Sequence, residues 1–169
     1  MEDISIKLNQ LITENSLQFC LECGKCSAVC PMPSVYGRYA YESFPRGVIE
    51  TLLLDPLDIG KDVFWYCLTC QECTSYCPAG VTFQRFMTDF RELILDNGYQ
   101  ENAFFCPVCG AYIMPKREFE YIQKTLGEDK AHEYLMSCHR CKKKDYADKL
   151  HRMNPTTKRW ETIDQGSKT

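Results

Sequence analysis

Apolar side chains recur at intervals of three and four residues along much of the chain, which is the spacing of one face of an α-helix. A short stripe near the start comprises Ile4, Leu8, Leu11 and Ile12. The longest stripe comprises Phe83, Phe86, Met87, Phe90, Leu93 and Ile94. Asn97-Gly98 follows it as a typical helix end. No segment of the sequence keeps the strict alternation of a strand, so the pattern predicts a mostly helical fold.

Two further helices are indicated by their start and stop signals. Pro45 suits the first turn of a helix that runs to Leu54, where Asp55-Pro56 stops it. A later helix, with Phe119, Ile122 and Leu126 on one face, should end at Gly127. Past Cys141 the sequence is polar and basic without clear apolar periodicity. We therefore expect the tail to be an arm that lies on a partner or stays mobile.

Cysteine changes this ordinary picture, because it occupies 12 of the 169 positions. A secreted disulfide scaffold would need an oxidising compartment, yet the chain opens with the acidic Met1-Glu2-Asp3 rather than with a basic signal sequence. The longest stretch without a charged residue, from Asn102 to Pro115, has 14 residues, fewer than the roughly 20 that span a bilayer. We therefore expect a soluble, cytoplasmic protein whose thiols bind metal.

Eight of the cysteines form two copies of the motif C-x2-C-x2-C-x3-C-P, at 20–31 and 67–78. In two-cluster bacterial ferredoxins the fourth cysteine of this run binds the other cluster. The ligands expected for the first [4Fe–4S] cluster are Cys20, Cys23, Cys26 and Cys77. Those expected for the second are Cys67, Cys70, Cys73 and Cys30. Zinc is the alternative, but it favours paired C-x2-C knuckles over triple runs.

Charged residues at equivalent positions of the two motifs suggest that the clusters differ in reduction potential. Lys25 in the first motif should raise one potential slightly, and Glu72 in the second should lower the other.

The remaining cysteines form two C-x2-C pairs separated by 28 residues, and their spacing is typical of a four-thiolate metal site. The ligands expected there are Cys106, Cys109, Cys138 and Cys141. The segment from Cys106 to Gly110 is similar to the knuckles of zinc ribbons and rubredoxins. Structural Zn²⁺, a single iron and a third [4Fe–4S] cluster all remain open, and spacing alone favours zinc. His139 is a further candidate ligand, but four cysteines suffice.

Charge is distributed unevenly along the chain, whose net charge is −3. Residues 1–137 carry 11 basic and 19 acidic side chains, whereas residues 138–160 carry 8 basic and 2 acidic ones. The basic segment from His139 to Arg159 supports a distant alternative, a cluster-containing regulator that binds nucleic acid. A chain that is acidic overall is a poor partner for phosphate, so we expect no nucleic-acid partner.

The segment from Trp65 to Val81 and the loop from Cys20 to Cys26 resemble the C subunit of heterodisulfide reductase. This resemblance covers about residues 15–98 and implies a helical-ferredoxin fold with two clusters. The extra cysteines after Gly98 and the chain length are also similar to the small iron–sulfur subunit of tungsten-dependent class II benzoyl-CoA reductases. That similarity implies a tungsten-pterin catalytic partner, and it tips the preference for the third centre slightly towards a [4Fe–4S] cluster.

We thus expect three parts: a helical dicluster domain at 1–99, a four-cysteine metal-binding module at 100–141 and a basic tail at 142–169. No motif for nucleotide binding or for a nucleophile is recognisable, so no catalytic residue is assigned. The expected function is electron transfer as a non-catalytic subunit of an anaerobic oxidoreductase, between a ferredoxin or flavin subunit and a catalytic subunit. A heterodisulfide-reductase-type complex is the alternative to the benzoyl-CoA reductase type. A free-standing ferredoxin would need neither the extra module nor the tail.

Overall fold

The computed structural model describes residues 2–37, 40–56, 59–127, 129 and 135–153, and the mostly helical fold is confirmed. The helices and strands in this part of the chain are α1 Glu2–Glu14, α2 Lys25–Val29, α3 Met32–Tyr36, α4 Pro45–Leu54, α5 Glu72–Ser75, α6 Phe83–Asp96, β1 Ala103–Phe105, β2 Tyr112–Pro115, α7 Lys116–Leu126 and α8 His139–Met153. Single 3₁₀ turns occur at Leu17–Phe19, Tyr41–Ser43 and Asp62–Trp65. The four helices predicted from apolar spacing and stop signals are confirmed as α1, α4, α6 and α7.

The core forms where α1 packs against α6. The apolar stripe of α6 is buried there, with Phe86 stacked on Phe90 at 5.4 Å between ring centroids. Phe64 packs edge-on against Phe90 at 5.0 Å. Each such fully buried side chain stabilises the fold by about 1.5–3 kcal/mol. The core therefore fixes α6 against the 3₁₀ turn that leads into the second cysteine motif.

The end of α1 is tied to the start of α6 by a pair of hydrogen bonds. The Thr82 hydroxyl donates to the Asn15 side-chain oxygen at 2.7 Å, and the Thr82 backbone N–H donates to the Asn15 carbonyl at 3.2 Å. Asn15 is itself buried, so these bonds satisfy polar groups that would otherwise be costly to bury. They hold together the segments that precede the first motif and follow the second.

A small antiparallel hairpin, β1 and β2, follows the dicluster region and was not predicted. Its strands have only three and four residues, too few to show alternation in the sequence. Ala103 belongs to the same buried core as α1 and α6, and Tyr112 packs edge-on against Trp65 at 6.2 Å. The segments on either side of residue 99 thus share packing contacts. The division of the chain into three parts stays a prediction.

Helix α8 was also not predicted, because most of its residues are charged or polar, and none of them is buried. Lysine, arginine, alanine and leucine still favour a helix there by intrinsic propensity. Residues 154–169 of the predicted tail lie outside the described residues. No helix in the described ranges is both long and apolar enough to cross a membrane.

Candidate metal centres

The two cysteine motifs fold into loops with the same backbone conformation. Glu22 and Gly24 have positive φ angles of 51° and 76° in the first loop. Thr69 and Gln71, at the equivalent positions of the second loop, have φ angles of 49° and 71°. Left-handed backbone is uncommon for residues other than glycine and costs about 1–3 kcal/mol where it is strained. A shared strained conformation indicates that the fold, rather than local preference, fixes how each loop presents its thiols.

A short helix follows each loop and carries the third cysteine. Cys26 lies in α2 and Cys73 lies in α5, and these two helices pack against each other. The fourth cysteine follows each helix, Cys30 directly after α2 and Cys77 one residue further on from α5, and each precedes a proline. Cys30 has the extended backbone, φ −68° and ψ 124°, that a following proline favours. Cys30 thus ends α2, and the chain continues from it in extended conformation into Pro31.

The first cavity has about 440 Å³ of space between the protein atoms, part of it open to solvent, and it is lined by cysteines of both motifs. Four of its cysteines are the set expected for the first cluster, Cys20, Cys23, Cys26 and Cys77. Cys73 also reaches its wall. Three cysteines of one motif and the fourth of the other are thus brought around one space, as the ferredoxin run requires.

The second cavity, of about 410 Å³, has the reciprocal composition. The cysteines that line it are the set expected for the second cluster, Cys30, Cys67, Cys70 and Cys73. Pro45, Cys73 and Phe83 line both cavities, so the two spaces are neighbours. The similar volumes and donor sets fit two cofactors of the same kind. The assignment of individual ligands stays a prediction.

Burial makes several of these thiols weak acids. It raises the pKa of Cys73 to about 12. Burial also raises the pKa of Cys67, against the opposing effect of the positive charge of Arg91. Cys26 and Cys30 have raised pKa values for the same reason, the loss of water around the thiolate. These thiols hold their protons at neutral pH, so iron that binds them must displace protons.

Arg91 is a buried residue beside the second motif that the sequence pattern did not single out. It is only 4% exposed, and its guanidinium donates to the Phe64 carbonyl at 3.0 and 3.2 Å and to the Cys67 carbonyl at 2.6 Å. It also lies 5.7 Å from the centre of the Trp65 ring. A buried cation therefore holds the start of the second motif. The sequence does carry a signal for its burial. Arg91 lies four residues after Met87, so a charged residue falls on the apolar face of α6.

The other four cysteines come together at the hairpin and at the start of α8. The sulfur atoms of Cys106, Cys109, Cys138 and Cys141 all lie within 4.8 Å of one another, close enough to hold a metal ion. The Cys138 backbone N–H donates to the Cys106 sulfur at 3.3 Å, and this bond lowers the pKa of Cys106 to about 6. His139 is exposed and lies outside this group.

Comparison with known proteins agrees with the cofactor fit of the two motifs. Residues 16–81 match a family described as the 4Fe–4S dicluster domain, and the match includes both cysteine motifs. No curated protein matches the chain. The family match supports [4Fe–4S] clusters and leaves the resemblance to heterodisulfide reductase and benzoyl-CoA reductase subunits untested. The segment that carries the two motifs is thus similar to 4Fe–4S dicluster domains.

Proposed function

We propose that the chain is an electron-transfer subunit of an anaerobic oxidoreductase complex, without substrate chemistry of its own. The observation that carries the proposal is the pair of neighbouring cavities, each lined by four cysteines of the expected sets, that share a wall at Cys73. One-electron transfer is the chemistry that [4Fe–4S] clusters supply when bound. Neighbouring cavities favour a relay because electron transfer is fastest over short distances.

The residues around the cavities perform three tasks in such a relay. The thiolates hold the cofactors. The Thr69 backbone N–H donates to the Cys67 sulfur at 3.4 Å, and this hydrogen bond offsets negative charge on the sulfur. Met32 and Phe83 are buried side chains in the lining, and they exclude water from the second cavity. The strained loops fix the thiols in advance, so little rearrangement accompanies a change of charge.

Each cavity has a route to the surface through the second cysteine of its motif. Cys23 of the first loop and Cys70 of the second are both exposed. Leu21 lines the first cavity and is itself 67% exposed, so it lies where that cavity meets the surface. Two exposed edges suit a protein that accepts electrons on one side and delivers them on the other.

Helix α8 supports a role within a larger complex. Tyr146, Leu150 and Met153 are exposed at intervals of four and three residues, so they form one apolar stripe on its surface. Lysines and arginines occupy much of the remaining helix surface. We propose that α8 binds the catalytic subunit. The partner's surface should then combine acidic groups, which complement the lysines and arginines, with apolar groups, which cover the stripe.

The test is depletion of the chain from the complex that contains it. The complex without the chain should lose electron transfer from its donor to the catalytic subunit. It should keep activity with a small reducing dye, which can reach the catalytic subunit directly. Donor-dependent turnover that persists after depletion would contradict the proposal.

A pair of matched variants tests the docking edge at the first cavity. Leu21→Glu should slow electron transfer with the partner at this edge by about tenfold, which is about 1.4 kcal/mol of docking free energy. Ile6→Glu is the control, because Ile6 is 66% exposed on α1 and outside the lining of both cavities. Iron content should remain unchanged in both variants.

The finer proposal is a tungsten-pterin enzyme of the benzoyl-CoA reductase type as the catalytic partner, with a heterodisulfide-reductase-type complex as the alternative. It rests on the resemblance of the motifs and on the additional cysteine group. Elemental analysis of the native complex separates the two. Tungsten that co-purifies in proportion to the chain supports the first, whereas its absence favours the alternative.

A further inference from the structure

We propose that Cys106, Cys109, Cys138 and Cys141 bind a single tetrahedrally coordinated ion, Zn²⁺ or iron, rather than a third [4Fe–4S] cluster. The inference is independent of the proposed electron-transfer function. The separation of the four sulfur atoms distinguishes the two kinds of centre, and the spacing of the cysteines in the sequence does not determine that separation.

The sulfur atoms have the separations that one central ion requires. Cys106 and Cys141 have sulfurs 3.9 Å apart, and those of Cys109 and Cys138 are 3.5 Å apart. All separations within the group are at most 4.8 Å. A regular tetrahedron with metal–sulfur distances of about 2.3 Å has edges of about 3.8 Å. The observed separations lie around this value.

A [4Fe–4S] cluster requires a wider arrangement, because each thiolate binds a different iron and the whole inorganic core lies between them. The dicluster domain provides the comparison within the same chain. Its cysteines line two cavities, each with cysteines from both motifs. The sulfur atoms of Cys106, Cys109, Cys138 and Cys141 lie within 4.8 Å of one another. Among the described residues, none of the eight dicluster cysteines belongs to such a close group of three or more ligands. The two kinds of site therefore differ in the space that they leave between sulfurs.

The local fold is built to hold the sulfurs at this short distance. Gly110 has a φ of 71° and donates its N–H to the Cys106 carbonyl at 2.8 Å, which closes the knuckle around the first pair. The Cys106 N–H donates to the Ala111 carbonyl, also at 2.8 Å. The Lys142 N–H donates to the Cys138 carbonyl at 3.0 Å, so the second pair lies at the start of α8. Positive charge at a helix N-terminus favours thiolates there.

The ion would join α8 to the rest of the protein. Helix α8 has no buried residue, and the hairpin strands have only three and four residues. Neither element buries enough apolar surface to fix the helix by packing alone. A metal bound by two cysteines from each element supplies that link, and its binding free energy contributes directly to the folding of the module.

The experiment measures iron, acid-labile sulfide and zinc in the full chain after anaerobic purification. The same measurement is made on the double variant Cys106→Ser/Cys109→Ser, with Cys23→Ser as the matched control in the dicluster domain. We expect the double variant to lose about one zinc, or about one iron, per chain and no sulfide. The control should lose iron together with sulfide and keep the extra ion.

X-ray absorption at the edge of the extra metal gives a second readout. Sulfur neighbours at about 2.3 Å without a neighbouring metal are expected for a single ion. The proposal is overturned if the double variant loses about four iron and four sulfide, as a cluster requires. It is also overturned if the full chain binds no metal beyond the two clusters. Failure of the dicluster domain would instead appear as a deficit of iron and sulfide in both the full chain and the double variant.

Discussion

Replacement of Arg91 by methionine removes a buried positive charge beside the second cavity. The guanidinium binds the carbonyl of Cys67, whose sulfur lines that cavity, and it is almost fully shielded from water. Reduction adds an electron to the cofactor, and a nearby cation stabilises the added charge. The methionine variant should therefore have a lower reduction potential at the second cluster.

The expected shift follows from Coulomb's law. For an assumed separation of about 8 Å and an effective dielectric constant of about 20, two unit charges interact by about 2 kcal/mol. For a one-electron couple, where a tenfold change corresponds to about 59 mV, this is about 90 mV. The first cluster should shift less, because its cavity is lined by neither Arg91 nor Cys67.

An anaerobic redox titration followed by electron paramagnetic resonance measures both potentials. Arg91→Lys is the conservative variant, since it retains the positive charge. Its second cluster should have a reduction potential close to that of the unsubstituted protein. Arg85→Met is the matched control on the same helix, because Arg85 is exposed and paired with Asp89 at 3.7 Å. It should leave both potentials unchanged, since solvent screens an exposed charge.

Equal shifts in the lysine and methionine variants would refute the electrostatic reasoning, because they would indicate a purely structural effect. An unchanged second potential in Arg91→Met would refute it as well. Circular dichroism of the methionine variant checks folding, since the carbonyls of Phe64 and Cys67 lose their donor. Each unsatisfied buried group costs about 1–3 kcal/mol.

Three further predictions concern strain, pH and assembly. Thr69 and Gly24 both have positive φ, which glycine adopts without strain. Thr69→Gly should therefore raise the free energy of unfolding by about 1 kcal/mol, and Gly24→Ala should lower it, as thermal unfolding would measure. Burial raises the pKa of Tyr112 from 10.0 to about 12, so between these pH values the unfolded chain loses a proton that the folded chain keeps. The free energy of unfolding should therefore fall as pH rises from about 10 through 12, and this fall should be smaller in Tyr112→Phe. A chain without residues 142–169 should keep both clusters but bind its partner more weakly, which unchanged co-purification would contradict.

The helices that the sequence predicted carry a regular apolar stripe, which is buried in α6 but leaves no residue of α7 fully buried. Helix α6 has seven buried residues, and its stripe is visible in the sequence because burial requires it. Helix α8 has none, so only intrinsic propensity favoured it. The hairpin was missed because three or four residues cannot show a period. Apolar patterns thus reveal helices with a regular apolar face, and elements that are very short or mostly charged leave little signal.

The candidate sites show a similar limit. The two ligand sets expected from the repeated motif line the two cavities, because the run is one whose fourth cysteine binds the other cluster in two-cluster ferredoxins. The 28 residues between the other two pairs fix no such geometry. Their sulfur separations, which favour a single ion over the cluster preferred from the sequence, required the fold.

Electrostatics around the clusters depends on burial, which the sequence does not give. Lys25 and Glu72 suggested a higher potential at the first cluster, yet both side chains are exposed and solvent screens them. Arg91 is buried and lies beside the second cavity. We therefore expect the buried cation to outweigh the two exposed charges and to raise the potential of the second cluster.

The central claim is that two neighbouring cavities hold a pair of [4Fe–4S] clusters that exchange electrons. Electron paramagnetic resonance of the full chain during stepwise anaerobic reduction tests it most directly. Two one-electron centres should appear, and full reduction should broaden their signals because the cavities share a wall. A single centre, or two centres without magnetic interaction, would contradict the account.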